Sequence, residues 1–558
     1  MKAARAVLRR LVWGLVALAT CSAVLAWLGL TAAADLARGR ERLLAGDTVA
    51  GANAFARARR WPGASASARA GEAVATAAAG RPGGAAVPLD ALLALAPEAL
   101  LLAALEEGRL EAGAALGDLA RRSGFVLAPL YEAAAALDHG DEPGARALAA
   151  KSTVPLESRG LGVRLRRARD AREQGAATLL LDRHGDLAAT VSRDGTPTAE
   201  VETAPLLAGV LERAGALPAG LAVRLSIDLG LSRAAREALG ERRGSIVLVE
   251  PRTGAVLAAV SDERTVAAEG AAAFTQRREP ASIAKVLTSA AAYRAGLDAD
   301  AEIGHMSCTG VERYGGKPLW CAFPAGPLDG LDHALAVSCN VAFANLGTRL
   351  GAERMADEYR AWGFNAGGDA LLGAAGRVHA PPLHPRQVAD LSVGLEVADV
   401  TPLHAALLAA VVASDGLLPA PRLVTGRCGL LGLTDTPVPL PRASVVVAPA
   451  IARRLRQAME AVATFGTGAS LAPRGFALAM KTGTAAEPGR GYHVNYIGAG
   501  PLPDPTFAFC VRVTNERSSP AVTRAAREVT ARLLAALAER RGSLETAARR
   551  QRHPARAD

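Results

Sequence analysis

The sequence predicts an α+β protein in three parts: an N-terminal transmembrane helix, an α-helical region, and a C-terminal domain of mixed strands and helices. Three observations carry this. Leu11 to Ala34 is a run of 24 residues without a charge, long enough to cross a bilayer. Between residue 35 and about 175, apolar residues recur at three and four, the period of a helix with one buried face. Beyond that, strand-like runs such as Ile246–Val260 and Thr506–Val513 are interspersed with Ala-rich helical stretches.

Lys2, Arg5, Arg9 and Arg10 precede the apolar run and predict a cytoplasmic tail over 1–10 with an anchor over 11–34. Ala32-Ala33-Ala34 also fits a cleavage site, so a removed signal peptide is the alternative. In the helical region, 35–175, Leu44-Ala45-Gly46-Asp47 followed by Phe55, Ala58 and Pro62 has a tetratricopeptide-like texture. Leu137 to Asp141 followed by Ala145 and Pro155 gives a second loose copy. A plain helical pedestal that spaces the next domain from the membrane is the other reading. From Ala177 the texture changes. Thr178–Asp182 and Leu187–Val191 flank Arg183-His184-Gly185-Asp186 and predict a hairpin, within a small connecting module over 176–215. A larger domain follows over 216–542. Its expected elements are a helix at Arg233–Leu239, two strands in Ile246–Val260, a helix at Val286–Gly296, last strands at Tyr496–Ala499 and Thr506–Val513, and a closing helix at Val522–Ala538. Residues 543–558 read as a disordered basic tail.

Composition narrows the function. The chain has 558 residues, enough for several domains. Half are hydrophobic but only 4% aromatic, which favours closely packed helices with small side chains. The formal charge of +10 is spread as Arg, with no nucleic-acid motif beside it. An anionic membrane or envelope surface, or simple Arg usage, accounts for it. Six cysteines are too few for a disulfide scaffold. Cys308 and Cys321 bracket a Gly-rich loop and can pair in an oxidising compartment. Cys339 and Cys510 read as buried small side chains. The nine histidines show no ligand spacing, so no metal or cofactor is expected.

The chemistry sits in three stretches. Ser282-Ile283-Ala284-Lys285 places a hydroxyl and an amine three residues apart, on one helical face. A serine needs a base to become a nucleophile, and a lysine amine serves once its pKa is lowered. Alone, this pattern usually marks only a solvated helix. Ser338-Cys339-Asn340 follows 56 residues after Ser282, and Lys481-Thr482-Gly483-Thr484 a further 143 residues after Ser338. That ordered set is specific to penicillin-binding proteins and serine β-lactamases.

Over about 216–540 the chain resembles the transpeptidase domain of class B, monofunctional penicillin-binding proteins. Arg224–Leu229 and Gly244–Ala258 look like that family's opening strands. The resemblance implies a central antiparallel sheet flanked by helices. It implies acyl transfer at a D-Ala-D-Ala bond of peptidoglycan stem peptides, and acylation by β-lactams. By resemblance Ser282 is the nucleophile, and Lys285 its base, its pKa lowered with help from Lys481. Ser338 relays a proton to the leaving amine, and Asn340 holds Lys285. Lys481, Thr482, Gly483 and Thr484 line an edge strand that binds the substrate, with the backbone N–H groups of Ser282 and Thr484 as oxyanion hole. A membrane glycosyltransferase of the elongation or division machinery is the implied partner, and no nucleic acid. The implied location is the bacterial inner membrane, single-pass, with the catalytic domain on its outer side.

The sequence departs from the family at three places near the site. Ala281 stands where a Gly usually precedes the serine, Met480 where a Gly precedes Lys-Thr-Gly, and Gly394-Leu395-Glu396 where Gly-Gln-Gly is usual. Ala281 is a mild change unless its backbone needs a positive φ. The helical region also lacks the strand-containing segment common in class B relatives, and no class A glycosyltransferase motif is present. Two alternatives remain: a D,D-carboxypeptidase or β-lactamase-type hydrolase with water as acceptor, and a non-catalytic penicillin-binding sensor or scaffold.

Overall fold

The computed structural model describes residues 222–540 apart from 368–369, 380–383 and 429–434, most of 176–213, and scattered positions between 31 and 60. Nearly all of the expected anchor at 11–34, the second repeat-like stretch at 137–155 and the tail at 543–558 lie outside the described residues. Among the described residues no helix is long and apolar enough to cross a membrane. The chain divides into two compact units. In the N-terminal unit, Thr48–Ala58 forms helix α1, burying Ala54, Phe55 and Ala58. Gly39 lies against the Phe55 ring, where a Cβ would sit only 2.8 Å from a ring carbon.

The C-terminal unit opens with the expected hairpin. Ala176–Leu181 (β1) and Leu187–Ser192 (β2) run antiparallel, with Leu180 opposite Ala189. Pro197–Thr198 (β3) adds beyond β2. On its other side β1 pairs in parallel with Ala222–Leu225 (β4), Leu180 opposite Val223. Val424–Cys428 and Asp435–Pro437 complete this mixed six-stranded sheet beyond β4.

Leu229–Leu239 forms helix α2, capped by Asp228, whose carboxylate accepts the Leu231 N–H at 2.9 Å. Five strands then build the central sheet: Gly244–Val249 (β5), Val256–Ser261 (β6), Ala479–Glu487 (β7), Gly491–Gly500 (β8) and Phe507–Glu516 (β9). The spatial order is β7-β8-β9-β5-β6, antiparallel throughout. Every residue of β5 and β6 is buried. Such strands read as continuous apolar runs because helices cover both faces. Helix Pro402–Ala413 is buried along its whole length and packs on β5, β8 and β9. A helix apolar on every side belongs inside a domain. The long C-terminal helix Ser519–Glu539 and α2 pack against each other; the former lies on β8 and β9, α2 on β6.

Three segments carry the motifs to the β7 edge. A 3-10 turn, Ala281–Ala284, leads into Lys285–Arg294 (α3). Helix Asn340–Leu350 (α4) begins on the Ser-x-Asn motif, and Pro385–Val393 (α5) ends at Gly394 beside the 3-10 turn. The expected helix at Val286–Gly296 thus starts at Lys285, and Ser282 itself lies in the tighter turn. Its i and i+3 side chains eclipse there.

Candidate active site

The structure brings Ser282, Lys285, Ser338, Asn340 and Lys481 into one hydrogen-bonded cluster. Lys285 Nζ donates to Ser282 Oγ at 2.9 Å and to Asn340 Oδ1 at 2.7 Å. It also reaches Ser338 O at 2.7 Å and Ser338 Oγ at 3.1 Å. Ser338 offers both oxygens, and its backbone is left-handed, at φ 56°. A non-glycine residue in that region stores strain of roughly 1–3 kcal/mol, and such strain clusters at functional sites.

Lys285 has no solvent exposure. Burial pushes its ammonium down to about 7, against the opposing pull of the Cys339, Cys321 and Cys308 thiols. Desolvation is the largest cause of this shift, and the repulsion expected between the Lys285 and Lys481 amines falls on Lys481. Lys481 is itself buried, and burial followed by repulsion from Lys285 pushes its pKa well down. Its Nζ donates to Ser338 Oγ at 2.9 Å and to Thr482 O at 2.7 Å. One hydroxyl thus stands between two amines.

Lys481-Thr482-Gly483-Thr484 lies on β7, the edge strand of the sheet. A Cβ on Gly483 would sit 3.0 Å from Ser282 N and 3.1 Å from Pro280 O. Only glycine lets strand and turn approach so closely. Thr482 Oγ1 pairs with Thr467 Oγ1 at 2.6 Å. Thr484 faces Val494 on β8.

The three departures fall into place. Ala281 does take a positive φ, 53°, so the methyl is carried on a backbone that favours glycine. Its N–H donates to Gly394 O at 2.7 Å, and Glu396 N donates to Glu279 Oε1 at 2.9 Å. The 394–396 segment therefore braces the turn that carries Ser282. Met480 is fully buried and fills the space above Gly468, where a Cβ would meet its sulfur at 2.5 Å.

Two sets of residues escaped the sequence reading. Asn495 Nδ2 donates to Glu279 O at 2.9 Å and Pro280 O at 3.2 Å, and His493 Nε2 bonds to Glu279 O at 3.0 Å. Buried Arg512 holds Asn495 Oδ1 at 2.7 Å and Val400 O at 2.8 Å. These side chains carry no motif spacing; only β8–β9 pairing sets Asn495 opposite Arg512. The second is Cys339, read from sequence as a buried small side chain. Cys321 lies 3.6 Å from Cys308 and 3.8 Å from Cys339, sulfur to sulfur, so Cys339 joins the expected pair. Trp320, 65% exposed, stands beside them, its carbonyl accepting Asn340 Nδ2 at 2.6 Å.

A serine beside a buried amine of near-neutral pKa, a shared hydroxyl and an open strand edge form a site for serine acyl transfer. The family described as penicillin binding protein transpeptidase domain matches residues 244–537, more than half of the chain, and the protein belongs to that family. Among its relatives is peptidoglycan D,D-transpeptidase PbpA of Mycolicibacterium smegmatis, 31% identical over 340 residues, 53% of this chain and 68% of that protein. Stage V sporulation protein D of Bacillus subtilis is 28% identical over 259 residues, 43% of this chain and 39% of that one. Among solved structures, PBPA from Mycobacterium tuberculosis aligns with a TM-score of 0.54 and 25% identity, covering 65% of this chain and 99% of that one. The same fold recurs in its ceftriaxone acyl-enzyme complex, at 23% identity and a TM-score of 0.54.

Proposed function

We propose that the chain is a peptidoglycan D,D-transpeptidase that works through a Ser282 acyl-enzyme and is acylated by β-lactams. The observation that carries this is Lys285: a fully buried amine, 2.9 Å from Ser282 Oγ and held by Ser338 and Asn340. In this reading the neutral Lys285 amine takes the Ser282 proton as Oγ attacks the carbonyl carbon of the penultimate D-Ala. The oxyanion forms against the N–H groups of Ser282 and Thr484, where one donor is worth roughly 3 kcal/mol of barrier. As the C–N bond breaks, a proton passes through Ser338 to the nitrogen of the departing D-Ala. Lys481, Thr482 and Thr484 receive the terminal carboxylate. An amine of a second stem peptide then attacks the acyl-enzyme, gives up a proton and leaves Ser282 free.

The same reading places the catalytic domain, 216–542, outside the cytoplasmic membrane, behind an anchor at 11–34 and the helical region at 35–175. A membrane glycosyltransferase is then its partner in the wall machinery. Support comes from the peptidoglycan transpeptidase names of relatives and the acyl-enzyme forms of neighbouring structures. The test is intact mass after incubation with penicillin, beside Ser282→Ala. One stable adduct that disappears in the variant is expected. A folded protein that takes no adduct overturns the reading. Cross-linked dimer from stem-peptide substrate separates transpeptidation from hydrolysis, which releases D-Ala alone.

A further inference from the structure

The acyl-transfer steps make no use of the three thiols beside Lys285. Cys308 and Cys339 are buried and Cys321 is half-buried. All three sulfurs lie within 4.8 Å of one another, with Cys321 at 3.6 and 3.8 Å from its neighbours. They come from separate pieces of chain. Cys308 ends the short strand Ser307–Cys308, Cys321 follows the hairpin strand Lys317–Trp320, and Cys339 sits inside the Ser-x-Asn motif. A disulfide spans about 2.0 Å, so small side-chain rotations bring Cys321 to either neighbour, but to one at a time. Cys321 is also the sulfur best prepared to attack. Its Sγ accepts the Asn340 N–H at 3.1 Å and the Val341 N–H at 3.4 Å, at the first turn of α4. Those donors favour the thiolate, and its partial exposure leaves it reachable.

We propose that Cys308, Cys321 and Cys339 form a thiol–disulfide exchange site, in which Cys321 bonds either to Cys339 or to Cys308 and so ties the redox poise of the surroundings to the Ser338–Asn340 turn. The coupling rests on the acyl-transfer reading above; the exchange itself does not. The oxidant is a disulfide, carried by a disulfide-donating oxidoreductase or a small thiol compound. The Cys321 thiolate attacks one donor sulfur, the donor S–S bond breaks, and one donor thiolate leaves. Cys339 then loses its proton and attacks Cys321 Sγ, and the second donor thiolate leaves. The cysteine pair has lost two electrons and two protons, and the donor has gained them. Moving the bond needs no further oxidant: a Cys308 thiolate attacks Cys321 Sγ and Cys339 leaves as thiolate.

The two linkages differ at the active site. The Cys321–Cys339 bond fastens the Ser-x-Asn motif to the hairpin and leaves no thiolate-forming group at 339. The Cys308–Cys321 bond leaves Cys339 as a free thiol, which burial keeps protonated. In the reduced site the Cys321 thiolate, held by the Asn340 and Val341 N–H groups, favours the protonated Lys285 amine, and either linkage removes that charge. Acylation near neutral pH is therefore faster in a linked form than in the reduced one.

The experiment equilibrates the full chain in glutathione buffers of varied reduced-to-oxidised ratio. Thiols are trapped by acid and alkylation, and linkages are mapped by mass spectrometry. Penicillin acylation is timed on the same samples. The wild type is expected to yield both Cys308–Cys321 and Cys321–Cys339 peptides. Cys308→Ser should yield only the second, Cys339→Ser only the first, and Cys321→Ser neither. Oxidised Cys308→Ser should acylate at pH 6.5 by up to about tenfold faster than its reduced form, the effect of one unit in the Lys285 pKa. Three thiols alkylated at every ratio overturn the proposal. So does one invariant linkage in the wild type, which is a fixed brace, or one equivalent of zinc retained on protected thiols. Interchanging linkages with an unchanged acylation rate overturn the coupling. Interchanging linkages in a folded chain that penicillin never acylates overturn the acyl-transfer reading and leave the exchange site standing.

Discussion

Ala281 and Gly394 meet backbone to backbone: the Ala281 N–H donates to Gly394 O at 2.7 Å, and a Cβ on Gly394 would lie 2.2 Å from Ala281 O. Gly394 also has φ 78°. Gly394→Ala therefore meets two penalties, a left-handed backbone of about 1–2 kcal/mol and overpacking of about 1–3 kcal/mol. Denaturant unfolding is expected to show a loss of about 2–4 kcal/mol. Acylation of whatever remains folded should slow, because the turn bearing Ser282 loses its brace. Wild-type stability in this variant would show that the contact relaxes freely.

Gly483→Ala separates site from stability. The new methyl would press on Ser282 N and Pro280 O at 3.0–3.1 Å, at the edge of the sheet beside the turn that carries Ser282. Acylation is expected to fall about 100-fold, as small misplacements of reacting groups do, with unfolding shifted by no more than about 1 kcal/mol. Penicillin acylation beside a urea titration makes the comparison. A retained acylation rate would mean that β7 and the turn part more easily than their contact implies.

The pH dependence follows from Lys285. With its pKa at about 7, the amine is neutral above that pH and protonated below it. If it is the base, the second-order acylation rate should fall about tenfold per unit below pH 7. Lys285→Met should lower it by about 10²–10⁴-fold at pH 8. Stability carries the opposite proton count. Between about 7 and 10.5, the ordinary lysine value, the unfolded chain holds the proton and the folded one does not. Stability gained from this group thus rises with pH across that window and is lost as pH falls through 7. A flat acylation profile from pH 5.5 to 8 would remove Lys285 from the role.

Asn495→Ala removes the side chain that satisfies the carbonyls of Glu279 and Pro280. Buried carbonyls and the Arg512 Nε then lose partners, a cost of about 1–3 kcal/mol. The rate should fall while its pH midpoint stays near 7, because Asn495 positions Ser282 without touching Lys285. A moved midpoint would assign Asn495 an electrostatic role instead.

Much of the domain was legible beforehand because its signals are local. The β5–β6 pair, the β1–β2 hairpin and the closing helix follow from apolar runs and turn residues. The ordered motifs named Ser282, Lys285, Ser338, Asn340 and the β7 edge before any fold was known. What stayed hidden depends on distance in space. Asn495 and Arg512 look like ordinary strand residues until their strands are registered. Cys339 looked like packing because nothing in its spacing shows that Cys308 and Cys321 arrive beside it. The left-handed backbone at Ala281 could be posed from sequence as a question, but only the bond to Gly394 answers it.

The parallel pairing of β1 with β4 has a practical consequence for cutting the chain. A fragment that begins at residue 216, where the sequence alone suggests a boundary, would keep β4 and discard β1. The N–H and C=O groups that β1 now satisfies along Ala222–Arg224, and the apolar faces of Val223 and Leu225, would then form a bare sheet edge. Bare edges recruit other chains. A fragment that starts before Ala176 keeps that border sealed, and should stay monodisperse where the shorter one clumps.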